Sequence, residues 1–400
     1  MTDAPADSDG APDLATVCAR AAEAPPSGTG PLAPPLQLSS VYRVADLGQI
    51  DALYRGEESG FIYARDGHPN AVQLAAKLAA LEGAEAGLVC ASGMAAESAV
   101  FLGGLGQGDE VALSDGLYGK TVALVGRELS RFGVGHRVFD PTRPETLRPS
   151  LSTRTRLVFA ETLSNPLLRL ADIDGLAGVI WERGSDARLV IDHTFAPLLC
   201  RPLALGADAL THSLTKLIGG HSDVTLGYLA GPRALVDRAA AVASAFGLNA
   251  NPFDCWLTLR GIATLSLRSA RSCATALDLA GRFAADARVK AVHYPGLPGH
   301  PDHARASRVF RGGFGTVVTI DLGGRGEADA LIRGLHHVPF APSLGDVATT
   351  LSHPATTSHR GQTSDQWARQ GITPGLVRLS IGLEDPDDLW DDFRRALGSF

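Results

Sequence analysis

Short apolar runs alternate with segments of helical spacing through the middle of the chain. Val72, Leu74, Leu78 and Leu81 are spaced for one helix face, with Asn70 as a capping residue ahead of them and Gly83 as the stop. Residues 87–91 then read as an apolar strand that passes through Ser92-Gly93 into a helix. Residues 156–160, 188–191 and 207–211 read as further buried strands, and 175–182 as an intervening helix. This β/α alternation predicts a mostly parallel sheet with helices on both faces and functional groups on the loops at strand ends.

From about Cys255 a helical pattern runs past Arg282 with few breakers, followed by a glycine-containing strand at 313–318 and another strand at 376–382. The expected division is a tail and arm over 1–60, a first α/β domain over 61–253 and a smaller C-terminal α/β domain over 254–400. Residues 1–36 are rich in Ala, Pro, Asp, Gly and Ser, with room for a short helix around 14–24. Residues 36–61 lack helical periodicity, which suits an extended arm.

Composition narrows the functional classes. The 400 residues are 45% hydrophobic and 20% charged, enough for a substantial core in a soluble globular protein. A net charge of −7 with no dense Lys/Arg run argues against nucleic acid or an anionic membrane as partner and favours a small molecule. Cys18, Cys90, Cys200, Cys255 and Cys273 are odd in number and widely spaced, so they read as reduced core thiols of a cytoplasmic protein, without a disulfide framework or a metal site. The N-terminus lacks a basic start and apolar run, and no stretch approaches the roughly 18 apolar residues of a membrane span. Gly103-Gly104-Leu105-Gly106 precedes a strand where a dinucleotide fingerprint would follow one.

The chemistry centres on residues 213–223, where Lys216 follows the buried strand at 207–211. A lysine near glycines is most often a solvated surface residue. Here Ser213 and Thr215 flank it with hydroxyls, Gly219-Gly220 allow close backbone approach, and Asp192 ends a second apolar run. A lysine able to form a Schiff base with an aldehyde, paired with a carboxylate able to face a pyridinium nitrogen, is what pyridoxal 5'-phosphate (PLP) chemistry requires. Ser92-Gly93-Met94 at a strand-to-helix junction adds an anion site, because the first turn of a helix presents free N–H groups.

With these motifs in order, the chain resembles the γ-subfamily of Cys/Met-metabolism PLP enzymes. That group includes cystathionine γ-synthase, cystathionine γ- and β-lyases, methionine γ-lyase and the O-acylhomoserine sulfhydrylases. The resemblance spans roughly residues 40–390 and implies fold type I, an aminotransferase-like α/β architecture with a mostly parallel seven-stranded sheet and a smaller C-terminal domain. It implies that Lys216 holds the cofactor aldehyde, Asp192 the ring nitrogen, Tyr118 of Tyr118-Gly119-Lys120-Thr121 the ring face, and Asn165 of Ser164-Asn165-Pro166 the phenolic oxygen. Gly93, Met94, Ser213 and Thr215 would bind the cofactor beside them. Tyr63 and Arg65 would reach the phosphate of a neighbouring subunit in a homotetramer built as a dimer of dimers. Arg378, helped by Ser343, would fork the substrate α-carboxylate.

Departures from the family pattern bear on the substrate. Ala64, His68, Lys120 and His193 stand where other residues are usual, and Lys120 would either touch a substrate carboxylate or point to solvent. Ile62 and Pro342 occupy places that are acidic in similar cystathionine γ-lyases, while the segments from Ser343 and His353 resemble methionine γ-lyases and sulfhydrylases. The expected activity is γ-elimination or γ-replacement on an O-acylhomoserine, methionine or homocysteine-like amino acid. Alternatives are a cystathionine γ- or β-lyase, a γ-replacement enzyme with an unusual nucleophile, and a non-catalytic binding module.

Overall fold

The computed structural model describes residues 13–20, 30–361 and 363–398. Seven strands build the larger sheet: β1 (Ala86–Cys90), β2 (Glu110–Ser114), β3 (Gly135–Phe139), β4 (Thr155–Glu161), β5 (Arg188–Asp192), β6 (Ala209–Ser213) and β7 (Gly227–Gly231). Their order is β1-β7-β6-β5-β4-β2-β3. All adjacent pairs are parallel except the two made by β7, so one reversed strand sits inside an otherwise parallel sheet.

Parallel strands must be covered on both faces, which is why β5 and its neighbours read as continuous apolar runs. Leu189, Val190 and Ile191 are each 1% exposed or less. On one side the helices Gly93–Gly104 and Arg233–Phe246 bury Ala96, Ala99, Phe101, Ala239 and Ala243 against Leu113, Phe159 and Leu229. On the other, Leu74, Leu78 and Leu81 of the helix Pro69–Glu82 pack with Leu210, Tyr228 and Leu259. Cys18, in the short helix Leu14–Ala19, is fully buried in this same cluster. The rest of the helix expected up to residue 24 lies outside the described residues.

The smaller sheet is wholly antiparallel: β8 (Ala291–His293), β9 (Val317–Asp321), β10 (Thr350–Ser352) and β11 (Leu376–Ser380), in the order β10-β11-β9-β8. Phe283, Tyr294, Val318, Leu379 and Phe393 form its core with the helices Leu265–Ala285 and Pro386–Leu397.

Several local expectations are corrected. His68, not Asn70, caps the helix Pro69–Glu82, its Nδ1 accepting from Ala71 N–H at 3.2 Å. Asn70 lies inside the helix and holds the arm, with its amide bonded to Pro35 O and Gln37 N–H. Val72 is 54% exposed, so it is not on the buried face. The arm contains a helix, Leu47–Arg55, which Asp46 caps. The long pattern from residue 255 is two helices, Pro252–Ile262 and Leu265–Ala285, and Arg268 joins the break to the Lys216 turn by donating to Gly261 O on one side and to Leu217 O and Ile218 O on the other. The glycines at 313 and 315 precede β9 with positive φ instead of lying within it.

Candidate active site

The C-terminal ends of β4, β5 and β6 open into a cavity of about 530 Å³, closed from the far side by the loop 342–344 and by Arg378 of β11. Parallel strands place their ends on one side, so residues distant in sequence meet there.

Lys216 lies on the turn after β6, with its N–H donating to Ser213 O at 3.2 Å and its carbonyl accepting from Gly220 N–H at 2.8 Å. Arg268 holds the Leu217 and Ile218 carbonyls beside it. Gly345 has φ +85°, and a Cβ there would stand 2.4 Å from Leu217 N, so only glycine lets the Ser343 loop come this close. Lys216 Nζ donates to Ser343 Oγ at 3.0 Å. Burial, and then the nearby Arg378 charge, lower the lysine's pKa, which favours a neutral amine relative to an exposed lysine.

Asp192 ends β5 and lines the cavity, its Oδ1 accepting from Thr194 N–H at 2.8 Å. Thr194 Oγ1 in turn accepts from Ser213 N–H at 2.8 Å, tying the ends of β5 and β6 together. Burial raises the Asp192 pKa. His193 turns the opposite way into the core, between Thr162 Oγ1 at 2.7 Å and Cys200 O at 3.1 Å, and burial pushes it down to about 4. It is a neutral structural ring, with Nε2 donating to the carbonyl.

Ser92 caps the helix Gly93–Gly104 by accepting from Ala95 N–H at 3.0 Å. The first-turn amides of Gly93 and Met94 have no partner one turn earlier and open toward the cavity that both residues line. Gly227 of β7 passes so close that a Cβ would sit 1.9 Å from Ser92 O. This explains the glycine in a strand otherwise apolar.

Arg378 is 5% exposed, and its guanidinium meets only neutral acceptors: Asn165 Oδ1 at 2.9 Å and Ser343 O at 3.0 Å. Its Nε is buried without a partner. Burial lowers its pKa to about 10, still protonated at neutral pH. Tyr118, whose N–H donates to Glu161 Oε1 at 2.6 Å, also lines the cavity, and burial raises its phenol.

Lys216, Asp192, the N-terminus of the helix Gly93–Gly104 and Arg378 thus surround one cavity. The sequence matches the family model "Cys/Met metabolism PLP-dependent enzyme" over residues 15–398. The chain belongs to this PLP-dependent family. It is 38% identical to an L-methionine gamma-lyase of Pseudomonas putida, over 92% of this chain and 93% of that protein. It is also 38% identical to a cystathionine beta-lyase of Bacillus subtilis, over 92% of each. The crystal structure of a cystathionine gamma synthase from Xanthomonas oryzae pv. oryzae, in complex with cystathionine, superposes with a TM-score of 0.90 at 35% identity, covering 97% of this chain and 98% of that one.

Within this family member, Gly93, Met94, Tyr118, Asn165, Asp192, Ser213, Thr215, Lys216, Ser343 and Arg378 line one cavity. Tyr63, Arg65 and Lys120 do not. Tyr63 is 45% exposed, with Arg65 lying 5.4 Å over its ring, and Lys120 is exposed near the start of the helix Gly119–Ala123. Pro342 lines the cavity, whereas Ile62 sits in the arm, where its carbonyl accepts from Tyr42 N–H at 3.1 Å. Glu97, which belongs to no motif, and Glu161, the first residue of the motif Glu161-Thr162-Leu163-Ser164-Asn165-Pro166, are also cavity walls. The signal for Glu97 was available in an acidic residue one turn into an Ala-rich helix whose N-terminus forms the site.

Proposed function

We propose that this protein catalyses PLP-dependent γ-elimination or γ-replacement on an amino acid carrying a sulfur or acyloxy leaving group at Cγ. The observation that carries the reading is the buried guanidinium of Arg378, which has no carboxylate partner among the described residues and an orphan Nε in the same cavity as Lys216. A buried cation without a counter-ion is costly, and a substrate α-carboxylate would supply the anion to a forked donor.

The residues fit the cofactor. The Gly93 and Met94 amides, with Ser213 and Thr215, would hold the phosphate; Asp192 would face the ring nitrogen, Asn165 the phenolic oxygen and Tyr118 the ring face. Bound PLP supplies an electron sink for a carbanion at the substrate α-carbon. Lys216, with a lowered pKa and Ser343 beside it, is suited to take and return protons at the α- and β-carbons. The Tyr118 phenol, raised by burial, starts as a proton donor suited to a leaving sulfur or oxygen. Arg378 fixes the carboxylate end and so orients the Cα–H bond toward the lysine.

The active unit is proposed to be at least a dimer, and a tetramer as in the family, in the cytoplasm. Tyr63 and Arg65 are exposed and lie outside the Lys216 cavity of their own chain, which suits a phosphate contact across a subunit boundary. Lys120 is exposed as well, and its assignment to a substrate carboxylate rests on the same assembly.

The test is spectroscopic and chemical. Purified protein should be yellow and release 2-oxobutyrate from an O-acylhomoserine or methionine. Lys216→Ala should lose both the visible band and turnover while keeping its circular dichroism. Full activity in that variant, or pyruvate as the main keto acid, overturns the reading.

A further inference from the structure

Glu97 belongs to none of the motifs that carry the cofactor reading, yet it forms part of the cavity wall. It lies four residues after Gly93, so both occupy the face of the helix turned toward β6. A Cβ at Gly93 would stand 2.9 Å from Ser213 Cβ, which shows how tightly that face is pressed to the sheet. Glu97 is 3% exposed, accepts a hydrogen bond from Thr121 Oγ1 at 2.7 Å, and lines the cavity together with Asp192, close enough for the two carboxyls to interact.

Two adjacent carboxyls in one cavity wall, the first of them buried, are not both ionised at neutral pH without a cation between them. Neither has a Lys or Arg ion-pair partner among the described residues. The groups around the pair are His212 on β6, Glu161 at the end of β4, the Tyr118 phenol, and Thr121 and Thr194. Asp192 has the better anion environment, because Thr194 N–H donates to its Oδ1 at 2.8 Å, whereas Glu97 also faces the carboxyl of Glu161. Glu97 accepts from one hydroxyl only. The shared proton therefore rests on Glu97.

We propose that Glu97 is a positioning residue for Asp192: a neutral carboxylic acid that donates to the Asp192 carboxylate while accepting from Thr121. This deepens the reading of Asp192 as the ring nitrogen's partner and rests on it. A carboxylate that already accepts a strong hydrogen bond is less basic, so a proton shared with a ring nitrogen stays on the nitrogen. The donated bond also fixes the rotamer of Asp192. Thr121, next to Lys120 in the Tyr118 segment, thereby couples the ring-stacking loop to the ring-nitrogen site.

The experiment compares holoenzyme variants by infrared spectroscopy and by pH titration of the cofactor's visible absorption. Wild type minus Glu97→Gln should show a protonated-carboxyl stretch at neutral pH. Glu97→Gln keeps both an N–H donor toward Asp192 and an acceptor for Thr121, so it should retain the wild-type titration. Glu97→Leu should move that titration by about one pH unit or more, the scale of one lost hydrogen bond to a charged group. No carboxyl stretch, or a Gln variant displaced as far as the Leu variant, overturns the proposal. If Glu97→Leu fails to fold, the infrared band and the Gln titration decide it alone. Asp192→Asn is run in parallel: if it leaves the absorption unchanged, the assignment of Asp192 fails, whereas a change there with none in Glu97→Leu sinks only the role of Glu97.

Discussion

Lys216 Nζ donates to Ser343 Oγ at 3.0 Å across 127 positions of sequence, joining the turn after β6 to the loop that leads into the smaller sheet. Ser343 O also accepts from Arg378 Nη2 at 3.0 Å, so one residue touches both the amine and the guanidinium. The proposed proton carrier and the proposed carboxylate fork are thus held in fixed relation by a single loop, whose approach depends on Gly345. Four predictions follow from this arrangement and its surroundings.

Arg378→Ala should lower kcat/KM by about 30-fold or more, since removing one partner of a desolvated charge pair costs about 2–5 kcal/mol. Arg378→Lys keeps a charge but loses the fork, and should recover only part of it. The check is kcat/KM for a substrate and for its α-carboxamide. Wild type should discriminate strongly between them and Arg378→Ala hardly at all; equal discrimination in both would remove Arg378 from the carboxylate site.

Cystathionine should be a poor substrate. Its distal ammonium would meet Pro342 where a carboxylate is needed, and a poorly paired buried charge costs about 2–5 kcal/mol. An O-acylhomoserine, homocysteine or methionine should therefore show a kcat/KM about 30-fold higher or more. Cystathionine proving best would identify a different pocket.

Inactive Arg65→Ala and inactive Lys216→Ala proteins should regain activity when mixed and allowed to exchange subunits. A hybrid dimer would contain one site with both residues intact. Demonstrated exchange without recovery would confine Arg65 to its own chain.

Stability should depend on pH through Glu97. Burial and the Asp192 charge hold its carboxyl well above the usual range, so the folded protein keeps a proton that the unfolded chain releases from about pH 4.3 upward. Folding stability from this group is complete below that value and declines as pH rises toward the folded-state value. Glu97→Gln cannot titrate. Its Tm should gain on the wild type as pH rises above about 5, and a constant difference there would mean that Glu97 is ionised in the folded protein.

The apolar runs of β4, β5 and β6 were legible in the sequence because strands covered on both faces must be apolar almost throughout. The motifs around Ser92, Asn165, Asp192 and Lys216 were legible for a related reason. Each lies at a strand end, where a local turn and its flanking run are written in adjacent residues. The same locality made Ser92 readable as a helix start. Where local signals competed, the surroundings decided: His68 caps its helix because its ring is buried, with Nε2 on Ala250 O and Nδ1 left to accept from Ala71. Arg268, just past the break between two helices, reaches the Lys216 turn, which offers it carbonyls from 50 residues or more upstream.

Other features belong to the tertiary structure alone. His193 sits beside Asp192 in sequence yet points away from the cavity, since successive residues at a strand end face opposite sides. Glu97 reads as an ordinary helix residue until the helix is laid against the sheet, where it joins Asp192, 95 positions away, in one cavity wall. Sequence by itself determined which segments are buried and where the strand-end chemistry lies, because burial and turn formation are encoded over a few adjacent residues. Only the tertiary structure decided which charges meet, because the electrostatic state of Glu97, Asp192 and Arg378 depends on what long-range packing places beside them and on the water it removes.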